Sequence, residues 1–538
     1  MKYLIKKTAA KASFILLFVV VTATVANAQL NSNLSIYKIV RFLQYVSADY
    51  VDTVNVDNLV DEAIIDLLGN LDPHSVYISK EDVKAMNEPL EGNFEGIGIE
   101  FNIMNDTLMV VNPIPGGPSE RVGIFAGDRI LEIDQKNVAG IGLKNSDVFK
   151  LLRGDKGTKV YITVQRKGIS NTMDFEITRD KIPIFSLDAA YMIDSKIGYI
   201  KLNRFALTTE EEFLNAIDSL KKQNMKDLIL DLRGNGGGYL NAAVSLSDHF
   251  LESDKIIVYT EGRTSPRNDF MSTSNGVFEK GKLVVLIDEG SASASEILAG
   301  AIQDWDRGIV VGRRSFGKGL VQNQMPLPDG SMIRLTVARY HTPTGRVIQK
   351  PYENGDAKDY YRDFTNRMEN GELFNADSIN FPDSLKYYTL NKGKLVYGGG
   401  GIMPDFFVPF DTTFYSEYYG LLVRRDVLNQ FVHKYVDTNR KKLLKSYQNF
   451  NQYFSNFVVD DKMVNDIVAF GEEKKVTLDE EGLNTSREEI KKQIKALIAR
   501  NIFTNGEYYQ VVNTDNEAIL KAIEVIKQWP EYKYLVLD

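Results

Sequence analysis

The sequence predicts a multidomain α/β protein in which a mostly β module and two helical regions surround an α/β core. Three observations carry this. Between residues 173 and 345, apolar β-type runs alternate with helix-length amphipathic segments, the pattern of strands connected through helices in one sheet. Between Gly92 and Lys167 the apolar runs are short and lie close together, as in a compact antiparallel module. Residues 33–69, and the chain from about Tyr415 onward, follow helical periodicity instead. The length of 538 residues suits about three or four domains, each with its own buried core.

In chain order, residues 1–28 carry Lys2, Lys6, Lys7 and Lys11, then the uncharged stretch Ser13 to Val25, then Ala26-Asn27-Ala28. This is the layout of a secretory signal, cleaved after Ala28. The alternative is an uncleaved anchor, but the apolar stretch is shorter than the roughly 20 residues of a spanning helix. Cleavage would take the formal charge from −8 to −12. Residues 29–88 read as an N-terminal helical region, with Ile36, Ile39, Val40, Phe42 and Leu43 on one face and Leu59, Ala63, Ile64, Leu67 and Leu68 on another. Residues 89–172 form the β module, with runs at Ile97 to Phe101, Thr107 to Val111, Arg129 to Ile133 and Val160 to Val164, and a helix at Ser146 to Leu152.

The core spans 173–350 and 396–410. Its buried strands are expected at Ile197 to Leu202, Leu228 to Leu232, Leu283 to Ile287 and Ile309 to Val311, with helices from about Thr209 to Lys221 and over Glu296 to Gln303. Residues 351–395 are polar and aromatic without a clean period, and read as an insertion or lid. Residues 411–538 form a C-terminal helical domain, in which Ser486-x-x-Glu489 reads as a capping box before Ile490, Ile494, Leu497 and Ile498.

Composition narrows the function. Hydrophobic residues at 43% and charged residues at 25% describe globular protein. A net charge of −8 offers no basic field for nucleic acid or anionic lipid. With no cysteine, disulfides, thiolate metal sites and cysteine nucleophiles are excluded, while His and carboxylate metal sites stay formally open.

Three segments are arranged for chemistry. Leu283 to Asp304 runs from a buried strand through Gly-Ser-Ala-Ser-Ala-Ser into a helix, so hydroxyls emerge at a sheet edge beside a helix N-terminus that stabilises negative charge. On this stretch alone Ser291, Ser293 and Ser295 read more readily as helix caps than as a nucleophile, and spacing does not choose among them. A serine needs a base, and the chain has only His74, His249, His341 and His433, none in a catalytic-looking motif. Lys318, between Gly317 and Gly319, is the better candidate, since burial can depress a lysine pKa. Asp231-Leu-Arg-Gly-Asn-Gly-Gly-Gly238 ends another buried strand and can turn backbone N–H groups toward one point. It matches neither a Walker loop nor a dinucleotide fingerprint.

Together these segments resemble the carboxyl-terminal processing peptidases, or tail-specific proteases, exported Ser-Lys dyad peptidases that carry a PDZ domain. The likeness rests on Ser-Ala-Ser-Ala-Ser-Glu-Ile at 291–297, Phe-Gly-Lys-Gly at 316–319 followed by Gln322, and Asp-Leu-Arg-x-Asn-x-Gly-Gly at 231–238. It implies Ser293 as nucleophile, Lys318 as general base and Gln322 as its orienting partner. The oxyanion hole would come from Ala294 with Gly237 or Gly238. Upstream, Leu71 to Ile78, Gly92 to Ile99 and Pro118 to Asp128 resemble the approach to, and strands of, the PDZ domain. Gly96-Ile97-Gly98-Ile99 would be its carboxylate-binding loop, capturing a chain terminus while the peptide adds to the sheet edge. Arg153 matches a regulatory residue that links the occupied PDZ domain to the active site.

The resemblance covers roughly residues 33–350 and 398–408. It implies a crotonase-like α/β core, no metal or organic cofactor, and protein or peptide substrates with apolar C-termini. An adaptor or homo-oligomer partner stays open, and membrane attachment requires the N-terminal segment to be retained. The expected location is periplasmic or cell-envelope. Two other classes remain to be separated: a crotonase-like acyl-CoA enzyme, which has no use for a peptide-capturing module, and a non-enzymatic PDZ adaptor or holdase.

Overall fold

The computed structural model describes residues 34–353 and 357–537. The signal-like segment 1–28 lies outside the described residues. Among the described residues no helix is long and apolar enough to cross a membrane.

The core sheet has six strands in the order Leu187–Met192, Ile197–Leu202, Asp227–Asp231, Leu283–Ile287, Ile309–Gly312, Phe406–Phe407. The first pair is antiparallel and the rest are parallel. Alternation within the strands explains why their sequences are apolar throughout. Leu283, Val285 and Ile287 point into one cluster with Phe213, Leu246, Ile297 and Leu298, while Val284 and Leu286 point into another. A strand covered on both faces has no polar side to show.

The second cover is unexpected. The reading above assigned 411–538 to one helical domain, but helix Glu517–Lys527 lies against the back of the core sheet through Ile519, Ala522, Val525 and Ile526. The rest of the C-terminal region packs on itself around Val432, Tyr453, Ile467, Ile494 and Ile498. An amphipathic helix records that it has a partner, not which one. Ser486 also differs from expectation. It lies inside helix Glu480–Ile502, which Asp479 caps by accepting the Gly482 N–H at 3.1 Å. The Ser486 hydroxyl donates instead to Phe414 O at 2.7 Å.

The β module is an antiparallel sheet in the order Ile99–Met104, Thr107–Pro113, Arg129–Ile133, Lys159–Gln165, Met173–Thr178, so it continues past residue 172. Helix Asn145–Leu152 lies where the sequence places it. The C-terminal helices hold this module through Asp437, which pairs with Arg129 at 3.2 Å and Lys167 at 3.6 Å.

A second sheet covers the mouth of the core. Strand Met332–His341 pairs with Leu320–Pro326, with Ile256–Glu261 and with Val76–Ile78. Hence Leu71 to Ile78 does not lead directly into the β module. Val76, Tyr77 and Ile78 pair with Arg334, Ile333 and Met332, which inserts the preceding turn into the core.

Candidate active site

The strand Leu283–Ile287 ends in a turn whose three serines are chemically alike but differently engaged. Ser291 and Ser295 are fully buried. The Ser291 hydroxyl donates to Leu232 O at 2.9 Å and the Ser295 hydroxyl to Asn235 O at 2.8 Å, so both tie the turn to the Gly-rich loop. The Ser293 hydroxyl donates to no group among the described residues. Ser293 also has φ +56° and ψ −112°, a strained conformation for a residue with a side chain, at the N-terminus of helix Ala294–Asp304. A strained strand-to-helix turn that presents one hydroxyl with its proton uncommitted is an arrangement in which a serine can act as a nucleophile.

The Gly-rich loop sets the opposite wall. Asn235 is fully buried; its Nδ2 donates to Leu202 O at 3.0 Å and its Oδ1 accepts the Gly237 N–H at 2.9 Å. The Gly237 N–H is therefore engaged and is not available as an oxyanion donor. Gly237 supplies space instead: a Cβ there would lie 2.8 Å from Ser293 Cβ and 3.0 Å from Ala294 N. At Gly238 a Cβ would lie 1.9 Å from Phe205 O. Phe205 N–H donates to Gly237 O and Tyr239 N–H to Phe205 O, a pairing that leaves the Gly238 N–H directed away from Phe205. Ala294 opens its helix, where the N–H has no intrahelical acceptor.

Glu296 joins this turn to the lysine. Its side chain is fully buried; Oε2 accepts the Ser293 N–H at 2.8 Å and the Lys318 N–H at 2.9 Å, while Oε1 accepts the Gly317 N–H at 2.7 Å and the Ser315 hydroxyl at 2.5 Å. Tyr340 adds a second tie, its hydroxyl reaching both Ser293 O and Lys318 O. Lys318 Nζ donates to Gln322 Oε1 at 3.3 Å. Gln322 follows a bulge in its strand, which re-aims its side chain, and its Nε2 donates to His74 O. Burial, reinforced by the charge of Arg334, lowers the Lys318 pKa, and Glu296 and Asp72 oppose part of that shift.

His74 lies close to Lys318, a placement that its position in the sequence does not reveal. The Val76–Ile78 pairing carries it beside Gln322, the partner of Lys318 Nζ, and its Nε2 lies 2.9 Å from Tyr360 Oη. Burial and the Lys318 charge push its pKa down to about 4, so it is a poor base at neutral pH. Asp72 holds the turn by accepting the His74 and Ser75 N–H groups at 2.8 and 2.9 Å. His341 is occupied elsewhere, stacked on Tyr259 with Nδ1 3.0 Å from Gly345 O. Glu296, Asn235 and Tyr340 were also missed as site residues; a Glu three residues after a turn serine was the one available signal.

In the β module, Ile99–Met104 is the terminal strand and its outer edge carries no other strand. Gly98 has φ +73°, and a Cβ there would lie 2.9 Å from Ile182 Cδ1. The loop carbonyls are engaged: Ile97 O accepts Ser119 N–H and hydroxyl at 3.0 and 2.7 Å, and Gly98 O accepts Ile114 N–H at 3.0 Å. Ile97 itself is a core residue, Ile99 packs beside it, and Gly96 belongs to a separate ribbon, paired with Asp180. Phe101 on the edge strand meets Phe149 on the facing helix at 5.5 Å. Arg153 lies over the Phe94 and Phe149 rings and pairs with Glu88 at 2.5 Å, so here it binds the helix that leads from the His74 turn, not the dyad itself.

Comparison with known proteins places the chain in a family. Peptidase family S41 matches residues 196–359, a PDZ domain matches residues 109–166, and a family of unknown function (DUF8443) matches residues 418–505. Carboxy-terminal processing protease CtpA of Bacillus subtilis (strain 168) is 35% identical over 328 residues, 60% of this chain and 69% of that protein. A carboxy-terminal-processing protease of Bartonella bacilliformis is 36% identical over 340 residues, 62% of this chain and 77% of that protein. The chain belongs to the carboxy-terminal processing protease family. It is a serine-type peptidase with a PDZ domain, which separates it from the acyl-CoA and non-enzymatic classes. A solved structure, the photosystem II D1 C-terminal processing protease, is 32% identical and matches 57% of this chain and 82% of its own, with a TM-score of 0.33.

The family's three-serine motif makes a direct test. Ser293→Ala is expected to lower peptidase activity by about four orders of magnitude or more with unchanged stability. Ser291→Ala and Ser295→Ala are expected to retain activity but lose about 0.5–1.5 kcal/mol of stability in urea denaturation, because each removes a buried hydrogen bond between the turn and the Gly-rich loop, whose Leu232 and Asn235 carbonyls keep one backbone donor each. A fully active Ser293→Ala enzyme would refute the assignment.

Proposed function

We propose that this protein is an exported endopeptidase that captures the C-terminal tail of a protein substrate on its PDZ edge strand and cleaves the chain with a Ser293–Lys318 dyad. The observation that carries this reading is Ser293, the one serine of the turn whose hydroxyl donates to no group among the described residues, fixed through Glu296 to the backbone of Lys318. Neutral Lys318 takes the Ser293 proton as Oγ attacks the scissile carbonyl. The oxyanion is received by the Ala294 N–H and the Gly238 N–H. The tetrahedral intermediate collapses, the leaving amine takes the proton from the Lys318 ammonium, and an acyl-enzyme remains. Water then attacks the acyl carbonyl as Lys318 takes its proton, the C–Oγ bond breaks, and the Lys318 ammonium returns that proton to Ser293 Oγ as the new carboxyl terminus leaves. Gln322 orients Nζ through the 3.3 Å contact.

Capture uses the N–H groups around Gly98 for the terminal carboxylate and the open edge of Ile99–Met104 for the main chain. The Phe101–Phe149 contact has to part for a peptide strand to enter. A cavity of about 730 Å³ extends from Phe101 and Pro113 past Phe185 to Asn203 and Arg204, beside the Phe205–Gly238 pairing. This supports a route from captured tail to scissile bond.

Cleavage of one unstructured substrate, offered with a free or an amidated C-terminus across pH, tests both halves. For the wild type, kcat/KM should rise with pH along one ionisation below the ~10.4 of an ordinary lysine, since Lys318 works only when neutral. Lys318→Arg should be as inactive as Lys318→Ala, because arginine stays protonated. Amidation should raise KM and leave kcat nearly unchanged. Turnover by Lys318→Arg would remove the base assignment, and equal KM for both tails would remove tail capture. Export rests on residues 1–28. The exported chain's mass should correspond to a start at Gln29, and an intact Met1 would contradict cleavage.

A further inference from the structure

The loop that carries Lys318 has two glycines beside it and little stiffness of its own, yet its backbone polar groups are engaged from two sides. On the inner side, Glu296 takes the Gly317 and Lys318 N–H groups and Tyr340 takes Lys318 O. On the outer side, the contacts come from the segment read from sequence as an insertion or lid. Arg367, on helix Asp363–Glu369, is only 2% exposed and reaches three consecutive carbonyls just before the loop. Nη1 donates to Arg314 O at 3.1 Å and Ser315 O at 2.9 Å, and Nη2 donates to Phe316 O at 3.1 Å.

The guanidinium is itself fixed. Its Nε lies 2.8 Å from Asp363 Oδ2, an ion pair rather than an aligned hydrogen bond, and 3.7 Å from Glu372. Glu372 in turn binds Arg314 through two contacts of 2.6 Å. A buried charge held by two carboxylates and three carbonyls is an anchored support, not the hinge of a moving lid.

A second set of contacts closes a ring around the base. Lys318 Nζ donates to Gln322 Oε1, and Gln322 Nε2 donates to His74 O. His74 Nε2 meets Tyr360 Oη, which accepts from Gln349 Nε2 at 3.1 Å. Gln349 Oε1 accepts the Gly319 N–H at 2.8 Å, returning to the residue after Lys318. Tyr360 belongs to the same added segment, and Arg367 and Glu372 lie beyond the region that matches peptidase family S41.

We propose that residues 357–397 form the outer half of the mount for the general base, with Arg367 and Tyr360 as positioning residues for Lys318. The inference rests on Lys318 being the base. Without Arg367 the carbonyls of 314–316 lose their shared donor, the Gly317–Gly319 loop loosens, and water reaches Nζ. A better solvated ammonium is easier to form, so less Lys318 is neutral at a given pH.

The test is the pH dependence of kcat/KM for full-length Arg367→Ala, Arg367→Lys and Tyr360→Phe beside Lys318→Arg. For Arg367→Ala the rising limb should move to higher pH by about one unit or more, with neutral-pH kcat/KM down about tenfold or more and KM within about twofold. Arg367→Lys keeps the charge but not the fork that spans three carbonyls, so it should fall between. Tyr360→Phe should shift the limb in the same direction by less, and it decides the matter if Arg367→Ala does not accumulate folded protein. A wild-type limb in Tyr360→Phe and the Arg367 variants, with activity merely scaled down or unchanged, would overturn the inference. If Lys318→Arg turns over substrate, the base assignment fails first; if it is dead and the limbs do not move, only the positioning role fails.

Discussion

The site depends on one buried carboxylate. Glu296 is the group through which the Ser293 turn and the Lys318 loop share a reference point: each of its oxygens accepts two donors, and the four donors come from Ser293, Ser315, Gly317 and Lys318. Two residues separated by 25 positions are thereby fixed to one rigid planar group. Burial raises the Glu296 pKa, and the hydrogen bonds from Ser315, Lys318, Gly317 and Ser293 oppose that rise. The net shift is upward, so the four donors offset only part of the cost of burying the charge. Breaking such a network at one partner costs more than it would at the surface, because the remaining donors are left buried and unpaired.

The same carboxylate sets a compromise for Lys318. Under the proposed mechanism this lysine has to be neutral, and desolvation drives it that way; the neighbouring Glu296 and Asp72 pull it back. Arg334 weighs on the side of neutrality. Geometry and titration are therefore coupled, since the group that locates Lys318 also makes its ammonium less costly. A base tuned by opposing terms can lie near the working pH rather than far below it.

Much of this was legible in the sequence for physical reasons. The core strands are readable because both faces are covered, so Leu283 to Ile287 cannot contain a polar residue. Gly237 and Gly238 announce a backbone that needs room, which the contacts of their absent Cβ atoms explain. What sequence could not supply was pairing at a distance. His74 reaches Gln322, beside Lys318, through the antiparallel match of Val76 with Arg334, 258 positions on. The helix Glu517–Lys527 looks like its neighbours until its apolar face is seen against the core sheet. The three turn serines share one chemistry, and family resemblance alone pointed to Ser293 until hydrogen bonds set it apart. Arg367 sits in a polar segment without periodicity, where no pattern marks it.

Glu296→Gln gives the most direct measurement of whether this carboxylate holds the two halves together. The amide preserves shape, but either orientation turns an NH2 group toward a backbone N–H that now donates to oxygen. Steady-state cleavage and tail-peptide affinity should be measured on the same folded preparation. The account predicts a kcat lower by about two orders of magnitude or more with tail affinity unchanged. A kcat within about threefold of the wild type would contradict it and would mean that Ser293 and Lys318 find each other without Glu296.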